Sequence, residues 1–195
     1  MPEFNTFPRV ALSHCPTPLE KLPRLSKHLG CQIWAKRDDC TGLAGGGNKT
    51  RKLEYLLADA VKKGADTVVT VGGLQSNHAR QTAAAAAKVG LACELILQDV
   101  LGAPQQDYYH NGNLLLDKLC GAVIHRLAVE QSSDLIVKQV VAGLKNKGKK
   151  PYVIPLGGSN ALGSLGYVNC ADEIIAQSQT PVSYTHLTLP TILRV

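Results

Sequence analysis

From Lys52 onward the apolar positions switch back and forth between two periods. Leu53, Leu56, Leu57, Ala60 and Val61 recur at the three-and-four spacing of one helix face, and Gly64 stands where a left-handed cap is expected. The β-branched run Thr67 to Val71 then reads as a strand buried on both faces. The cycle continues with a helix from about Asn77 to Val89, a strand over Cys93 to Leu97, a helix over Asn113 to Leu119 and a strand over Ala122 to His125. Val137, Val140, Val141 and Leu144 mark another amphipathic helix, followed by a strand at Tyr152 to Pro155. The strands begin at 67, 93, 122 and 152, far enough apart for a helical crossover between each pair, so the pattern predicts a four-stranded parallel sheet.

Upstream the pattern is sparser. Thr17-Pro18-Leu19-Glu20 has the layout of a capping box with proline at the first helical position, which predicts a helix starting there and kinked at Pro23. A strand over Gln32 to Lys36 follows, with no sheet of its own to join, and leads into polar Arg37-Asp38-Asp39 and a run of glycines. Downstream, the text from Thr180 to Val195 holds four threonines, two prolines and no acid, and breaks the rhythm. It resembles translated adapter sequence more than a native loop and strand, and the chain is expected to be truncated.

Composition narrows the partners. The 195 residues carry a formal net charge of +6, but the dense basic cluster, Lys145, Lys147, Lys149 and Lys150, has no interleaved aromatics for base stacking and reads as a solvated helix end. Nucleic acid is not an expected partner; anionic small molecules are. The six cysteines (Cys15, Cys31, Cys40, Cys93, Cys120, Cys170) lack C-x-x-C spacing and read as reduced, mostly buried thiols of a cytoplasmic protein. Charges interrupt every apolar stretch before membrane-spanning length, the first residues lack the layout of a secretory signal, and the six histidines form no metal-binding pair at helical spacing. A G-x-S-x-G elbow is absent as well.

Two stretches carry chemistry. In Gly45-Gly46-Gly47-Asn48-Lys49, glycines let backbone N–H groups approach a ligand, and burial at a helix start pushes a lysine toward the neutral amine that imine formation needs. The competing reading is a flexible turn before an exposed basic helix, a role that suits Lys52 better. The loop also comes near the nucleotide-binding pattern G-x-x-x-x-G-K-[ST], but Asn48 displaces the lysine by roughly 100 degrees of helix, and polar residues stand where a buried strand should lead in.

The second stretch, Gly72-Gly73-Leu74-Gln75-Ser76-Asn77-His78-Ala79-Arg80-Gln81, follows a strand directly, where α/β proteins bind ligands. Ser76 or Asn77 is the expected N-cap, and the free backbone donors beside them suit a carboxylate or a phenolate-like oxygen. Capping alone needs fewer polar residues than Gln75, Ser76, Asn77 and His78 together. A third flexible loop, Gly157 to Gly163, reads as a hinge with some lining role. An amine for a carbonyl, and donors for an anion, point to pyridoxal 5'-phosphate.

Here the chain resembles a known family. Pro16-Thr17-Pro18-Leu19, Lys36-Arg37-Asp38-Asp39, Gly46-Gly47-Asn48-Lys49, Gln75-Ser76-Asn77, Asn111-Gly112-Asn113 and Pro151-Tyr152-Val153-Ile154-Pro155 occur in the order seen in the D-cysteine desulfhydrase and 1-aminocyclopropane-1-carboxylate deaminase family, within the tryptophan-synthase-β-like pyridoxal-phosphate enzymes. The resemblance runs from about Phe7 to Ala176 and implies an α/β protein of fold type II. It divides the chain into 1–51 as the first part of a large cofactor domain, 52–160 as a complete small domain, 161–179 as the return, and 180–195 as the foreign tail. It implies that Lys49 forms the covalent cofactor link, that Asn48 and Asn77 bind cofactor, and that Ser76, with Asn77 and His78, handles the substrate. The implied reaction eliminates sulfide from D-cysteine; L-cysteate sulfo-lyase and cyclopropane deaminase activities are the alternatives within the family, and a phosphate- or nucleotide-binding module is the one outside it. The family also implies a homodimer when full length, and places the phosphate cup after the point where this chain changes character.

Overall fold

Valine and threonine at consecutive positions, stiff at χ1 and at ease on a pleated surface, make β3 (Thr67–Gly73) the centre of the molecule. A computed structural model describes residues 6–99, 106–128 and 130–178. In it β3 lies between β4 (Ala92–Gln98) and β6 (Pro151–Ile154), with β5 (Val123–Leu127) beyond β4, in the order β5-β4-β3-β6. All three pairings are parallel, with Val68 opposite both Cys93 and Tyr152.

Helices cover both faces. On one, Leu53, Leu56, Leu57 and Ala60 of α2 (Lys49–Lys62), the alanines of α3 (Asn77–Val89) and Leu114 of α4 (Asn113–Leu119) pack on Val68, Cys93, Leu95 and Leu97. On the other, α5 (Ser133–Asn146) lays Ile136, Val137, Val140, Val141 and Leu144 on Val69, Ile96 and Leu127. The alanine run lets α3 approach the sheet closely, and burial of these side chains contributes about 25 cal/mol per Å² of apolar surface. The predicted parallel sheet and the alternation of strand and helix are present; α3 and α4 fall on their predicted bounds and the other ends differ by at most four residues. Val61 departs from its predicted face and is 48% exposed, because the apolar stripe on α2 ends at Ala60.

The segment before Lys49 corrects two expectations. No helix begins at Thr17; Leu19–Lys21 is a strand, β1, paired antiparallel with β2 (Trp34–Lys36), and helix α1 runs over Pro23–Leu29. The strand at 34–36 thus has a partner of its own. The capping box fails because the Thr17 hydroxyl is taken: it donates to Asp38 at 2.9 Å and accepts from Arg51 at 2.9 Å. The backbone also closes the hairpin, Arg37 N–H to Pro18 O and Leu22 N–H to Ile33 O.

Helix α6 (Ala161–Gln177) crosses α2, the backbones meeting closely at Gly166, where a Cβ would collide with the Arg51 carbonyl. Below this crossing Arg51, 1% exposed, pairs with Asp38 and Glu173, both at 2.8 Å, while Lys36 reaches Glu173 at 2.7 Å. All six cysteines are free, but only Cys93 and Cys170 are buried, fewer than the sequence suggested, since Cys31 and Cys40 lie on exposed turns. Lys145, Lys147, Lys149 and Lys150 are exposed at and beyond the end of α5, the solvated helix end expected of them. The predicted tail over 180–195 lies outside the described residues. Among the described residues no helix is long and apolar enough to cross a membrane.

Candidate active site

Chain order reverses beside β3: β4 lies on one side of it and β6 on the other. Crevices at such points, beyond the carboxyl ends of the strands, are where open α/β sheets take ligands. The turn after β3 leads into α3 at Asn77, the turn Leu156–Gly158 follows β6, and the glycine loop enters α2 at Lys49. The Lys49 side chain bridges two of these segments, since a Cβ on Gly157 would lie 3.8 Å from its Cε.

The glycine loop is tightly built. At Gly46 φ is +81°, and a side chain would strike the Asp39 carbonyl oxygen; at Gly47 one would strike Gln81. Thr41 closes the loop from below, its hydroxyl donating to Gly47 O and accepting from Gly47 N–H, both at 2.8 Å. Backbone this close-packed cannot swing, so Lys49 starts its helix at a fixed point. Its Nζ donates to Asn48 Oδ1 at 2.9 Å. Burial, and secondly the charge of Lys52, lower its pKa from the usual lysine value, which raises the share of neutral amine.

Ser76 caps α3, accepting from Ala79 N–H at 3.2 Å and keeping its own hydroxyl proton as a donor. Asn77 is exposed at the mouth of the crevice; its Oδ1 accepts from Asn113 Nδ2 at 2.9 Å and Arg80 at 3.3 Å, which turns its NH₂ group outward. Asn113 is itself held by Gln75, donating from Nδ2 to Gln75 O and from its backbone to Gln75 Oε1, both at 2.8 Å. His78 is 4% exposed. Thr70 gives its hydroxyl proton to Ile154 O at 2.9 Å, so the 2.9 Å contact with His78 has the imidazole donating from Nε2. Nδ1 is then a buried acceptor without a partner among the described residues. Burial first, and Lys49 second, bring this histidine down to about 4, so it is neutral.

Lys52 is not the plain solvated lysine its helix position suggested. Its Nζ donates to Gly157 O at 3.1 Å and Ser159 Oγ at 2.9 Å and lies 5.6 Å from the Tyr167 ring centroid, because α6 and the third loop fold over it. The near match to a nucleotide-binding loop also loses its premise, since Asp38–Thr41 forms a 3₁₀ turn where that motif needs a strand.

The predicted residues Asn48, Lys49, Ser76, Asn77 and His78 therefore lie at two helix starts, α2 and α3, that Gln81 ties together beside β3. Gln81 and Thr41 escaped the sequence reading. Gln81 accepts from Thr50 N–H at 2.9 Å and donates to Asn77 O at 3.0 Å, tying the residue after Lys49 to the start of α3. A polar side chain four residues after Asn77, just ahead of an alanine run, was the available signal. Among the described residues no cluster of His, Cys, Asp or Glu could hold a metal ion.

Pyridoxal phosphate fits these residues: a partly buried lysine amine of lowered pKa, an outward amide at Asn77, a donor hydroxyl at Ser76 and the N-terminus of a thirteen-residue helix converge where a side chain on the neighbouring glycines would collide.

Comparison with known proteins agrees. The family profile described as pyridoxal-phosphate dependent enzyme matches residues 10–191. The D-cysteine desulfhydrase of Klebsiella pneumoniae (strain 342) is 51% identical over 186 residues, covering 92% of this chain and 55% of the relative. That of Salmonella typhi is 49% identical over 179 residues with the same two coverages. The chain thus spans about half the length of the curated relatives it matches. Among solved structures, one titled as an ACC deaminase homologue superposes with a TM-score of 0.82 at 44% identity, over 92% of this chain and 55% of the other. A pyridoxal 5'-phosphate-dependent aspartate racemase, 21% identical with a TM-score of 0.60 over 83% of this chain and 45% of its own, shares the fold.

Proposed function

Since this chain belongs to the family of pyridoxal-phosphate dependent enzymes, we propose that the complete gene product is a carbon–sulfur lyase converting D-cysteine and water to pyruvate, ammonia and hydrogen sulfide. The observation that carries this reading is Lys49, a partly buried amine of lowered pKa at the convergence of three loops, in a chain about half identical to D-cysteine desulfhydrases.

When bound, pyridoxal phosphate supplies an aldehyde that captures amines and an electron sink for the pair left at Cα. Lys49 is the residue that would hold the cofactor covalently, and its Nζ, whose pKa burial lowers, would accept the Cα proton. Asn77, whose Oδ1 is taken by Asn113 and Arg80, would donate from its NH₂ group to the ring oxygen of the cofactor, and Asn48 steadies the lysine through the 2.9 Å bond from Nζ. Ser76 donates its hydroxyl to the substrate carboxylate, aided by the backbone donors at the start of α3. His78, neutral and buried, donates its Nε2 proton to Thr70 and so has no N–H left for a carboxylate; that role falls to the Ser76 hydroxyl and the donors at the start of α3.

The domain division at 51/52 and 160/161, a homodimeric assembly and a cytoplasmic location complete the proposal; the six free cysteines support a reducing compartment. Borohydride reduction of the chain with pyridoxal phosphate, followed by peptide mass analysis, tests the reading. We expect a pyridoxyl adduct on Lys49, none after Lys49→Ala, and an unchanged adduct after Lys52→Ala; an adduct on another residue, or protection by nucleotide with no adduct, sinks it. The complete gene product, offered D-cysteine, L-cysteate and 1-aminocyclopropane-1-carboxylate, is expected to release pyruvate from D-cysteine fastest. The ACC deaminase homologue among the structural relatives is the reason the third substrate belongs in the assay, where its four carbons would appear as 2-oxobutyrate rather than pyruvate.

A further inference from the structure

Arg80 belongs to no step described above, yet it is 7% exposed and reaches both the glycine loop and Asn77. One arm of its guanidinium, NH1, donates to the carbonyl of Ala44. The other, NH2, donates to Gly46 O at 3.1 Å and to Asn77 Oδ1 at 3.3 Å. A single planar group thus joins the strained stretch before Lys49, where Ala44 has φ +49° and Gly46 +81°, to the asparagine at the start of α3.

Burying an arginine carries a large desolvation cost unless a counter-charge is near. Asp117 of α4, fully buried, meets that need: neither its two carboxylate oxygens nor Arg80 Nε has a hydrogen-bond partner among the described residues, and the two groups interact through space. Burial raises this carboxyl and Arg80 opposes the rise, the two together leaving it at about 7. A cation placed only for stability is more cheaply replaced by an apolar side chain. Here the guanidinium is aimed at carbonyls that only this loop presents.

We propose that Arg80 is a positioning residue, a two-armed clamp that fixes the glycine loop against Asn77 and so sets the place of the Lys49 amine relative to the start of α3. Its geometry demands arginine, since the planar fork spans two carbonyls and an amide at once, where an ammonium is a point donor on a flexible stem. The inference rests on the reading of Lys49 as the cofactor lysine, and its test keeps the two apart.

Arg80→Met, Arg80→Lys and, as a control on the exposed end of the same helix, Lys88→Met are compared with the unaltered chain by amide exchange over residues 42–50 without cofactor, and by borohydride-trapped pyridoxyl on Lys49. Arg80→Met is expected to exchange faster in the loop and to lower trapping about tenfold, in line with the cost of misplacing a reacting group. Arg80→Lys should recover an intermediate level, and Lys88→Met should match the unaltered chain. Equal trapping and equal exchange in Arg80→Met overturn the clamp and leave the Lys49 reading intact. If the unaltered chain carries no adduct on Lys49, the functional reading fails, and the exchange comparison alone decides for or against the clamp. If Arg80→Met does not fold, Arg80→Lys decides: unchanged exchange and trapping in that variant overturn the proposal.

Discussion

A histidine in a polar tetrapeptide invites a functional role, and His78 shows how burial reshapes that expectation. Donating from Nε2 to Thr70 under the crevice, it is neutral in the folded chain and held down at about 4, chiefly by burial, against an ordinary 6.5. The unfolded chain therefore binds the extra proton first: stability from this residue is fully present above pH 6.5 and drains away as the pH falls toward 4, with a slope of at most about 1.4 kcal/mol per pH unit. Melting curves at pH 7, 5.5 and 4.5 are expected to show this loss in the unaltered chain and a shallower one in His78→Gln, whose amide can still donate to Thr70. Equal pH dependence in both would falsify the buried-neutral assignment. Residues 48, 49 and 76–78 stood out in the sequence because amine, amide and hydroxyl side chains lie there beside glycines and helix starts. Thr41, Gln81 and the clamp at Arg80 did not, since Gly47, Thr50 and the carbonyls of Ala44 and Gly46 lie 6 to 36 positions from them and only the fold brings these partners into reach.

At the scale of elements, α3 spans the expected Asn77–Val89: Ser76, one of the two cap candidates, caps it, the alanines form its apolar face, and Gly90 at φ +77° closes the end. Removing the first should cost a measurable amount. Ser76→Ala loses the bond to Ala79 N–H and is expected to destabilise the cofactor-free chain by about 1 kcal/mol in urea titration, whereas Ser76→Asp, which keeps a capping oxygen, should stay near the original value. No difference between the two variants would show the cap to be energetically idle. The failed helix at Thr17 is the counterexample. There the local signals were equally good, but the hydroxyl required for capping was already committed to Asp38 and Arg51, and the hairpin offered the backbone a full set of partners.

At the scale of the whole molecule, the buried charges around Arg51 join parts of the chain that sequence separates widely: Thr17, Lys36 and Asp38 from the N-terminal segment, Arg51 from α2 and Glu173 from α6. Breaking one partner of such a cluster leaves a charge uncompensated, a loss of about 3–5 kcal/mol for a buried pair. Burial pushes the Glu173 carboxyl up, but hydrogen bonds from Arg51 and Lys36 outweigh it and hold it at about 2 against an ordinary 4.5. Its stabilising contribution is thus complete above pH 4.5 and disappears as the pH falls from there toward 2. Glu173→Gln is expected to lower the melting temperature at pH 7 and to flatten the acid limb of the stability curve in that window; an unchanged acid limb would mean that the Glu173 carboxylate contributes nothing to holding α6.

What the amino-acid order determined by itself was whatever depends on near neighbours: the period of each helix and strand, the caps, the parallel sheet implied by crossover-length spacing, and the clustering of amine, amide and hydroxyl beside flexible backbone. Tertiary structure alone decided which polar groups were already spoken for. It paired β1 with β2, folded α6 over Lys52 and set Arg80 between the glycine loop and Asn77. The physical reason is that periodicity and capping act over a few residues, while hydrogen-bond satisfaction and desolvation are set by whatever the fold brings within about 3 Å, a quantity that no local pattern encodes.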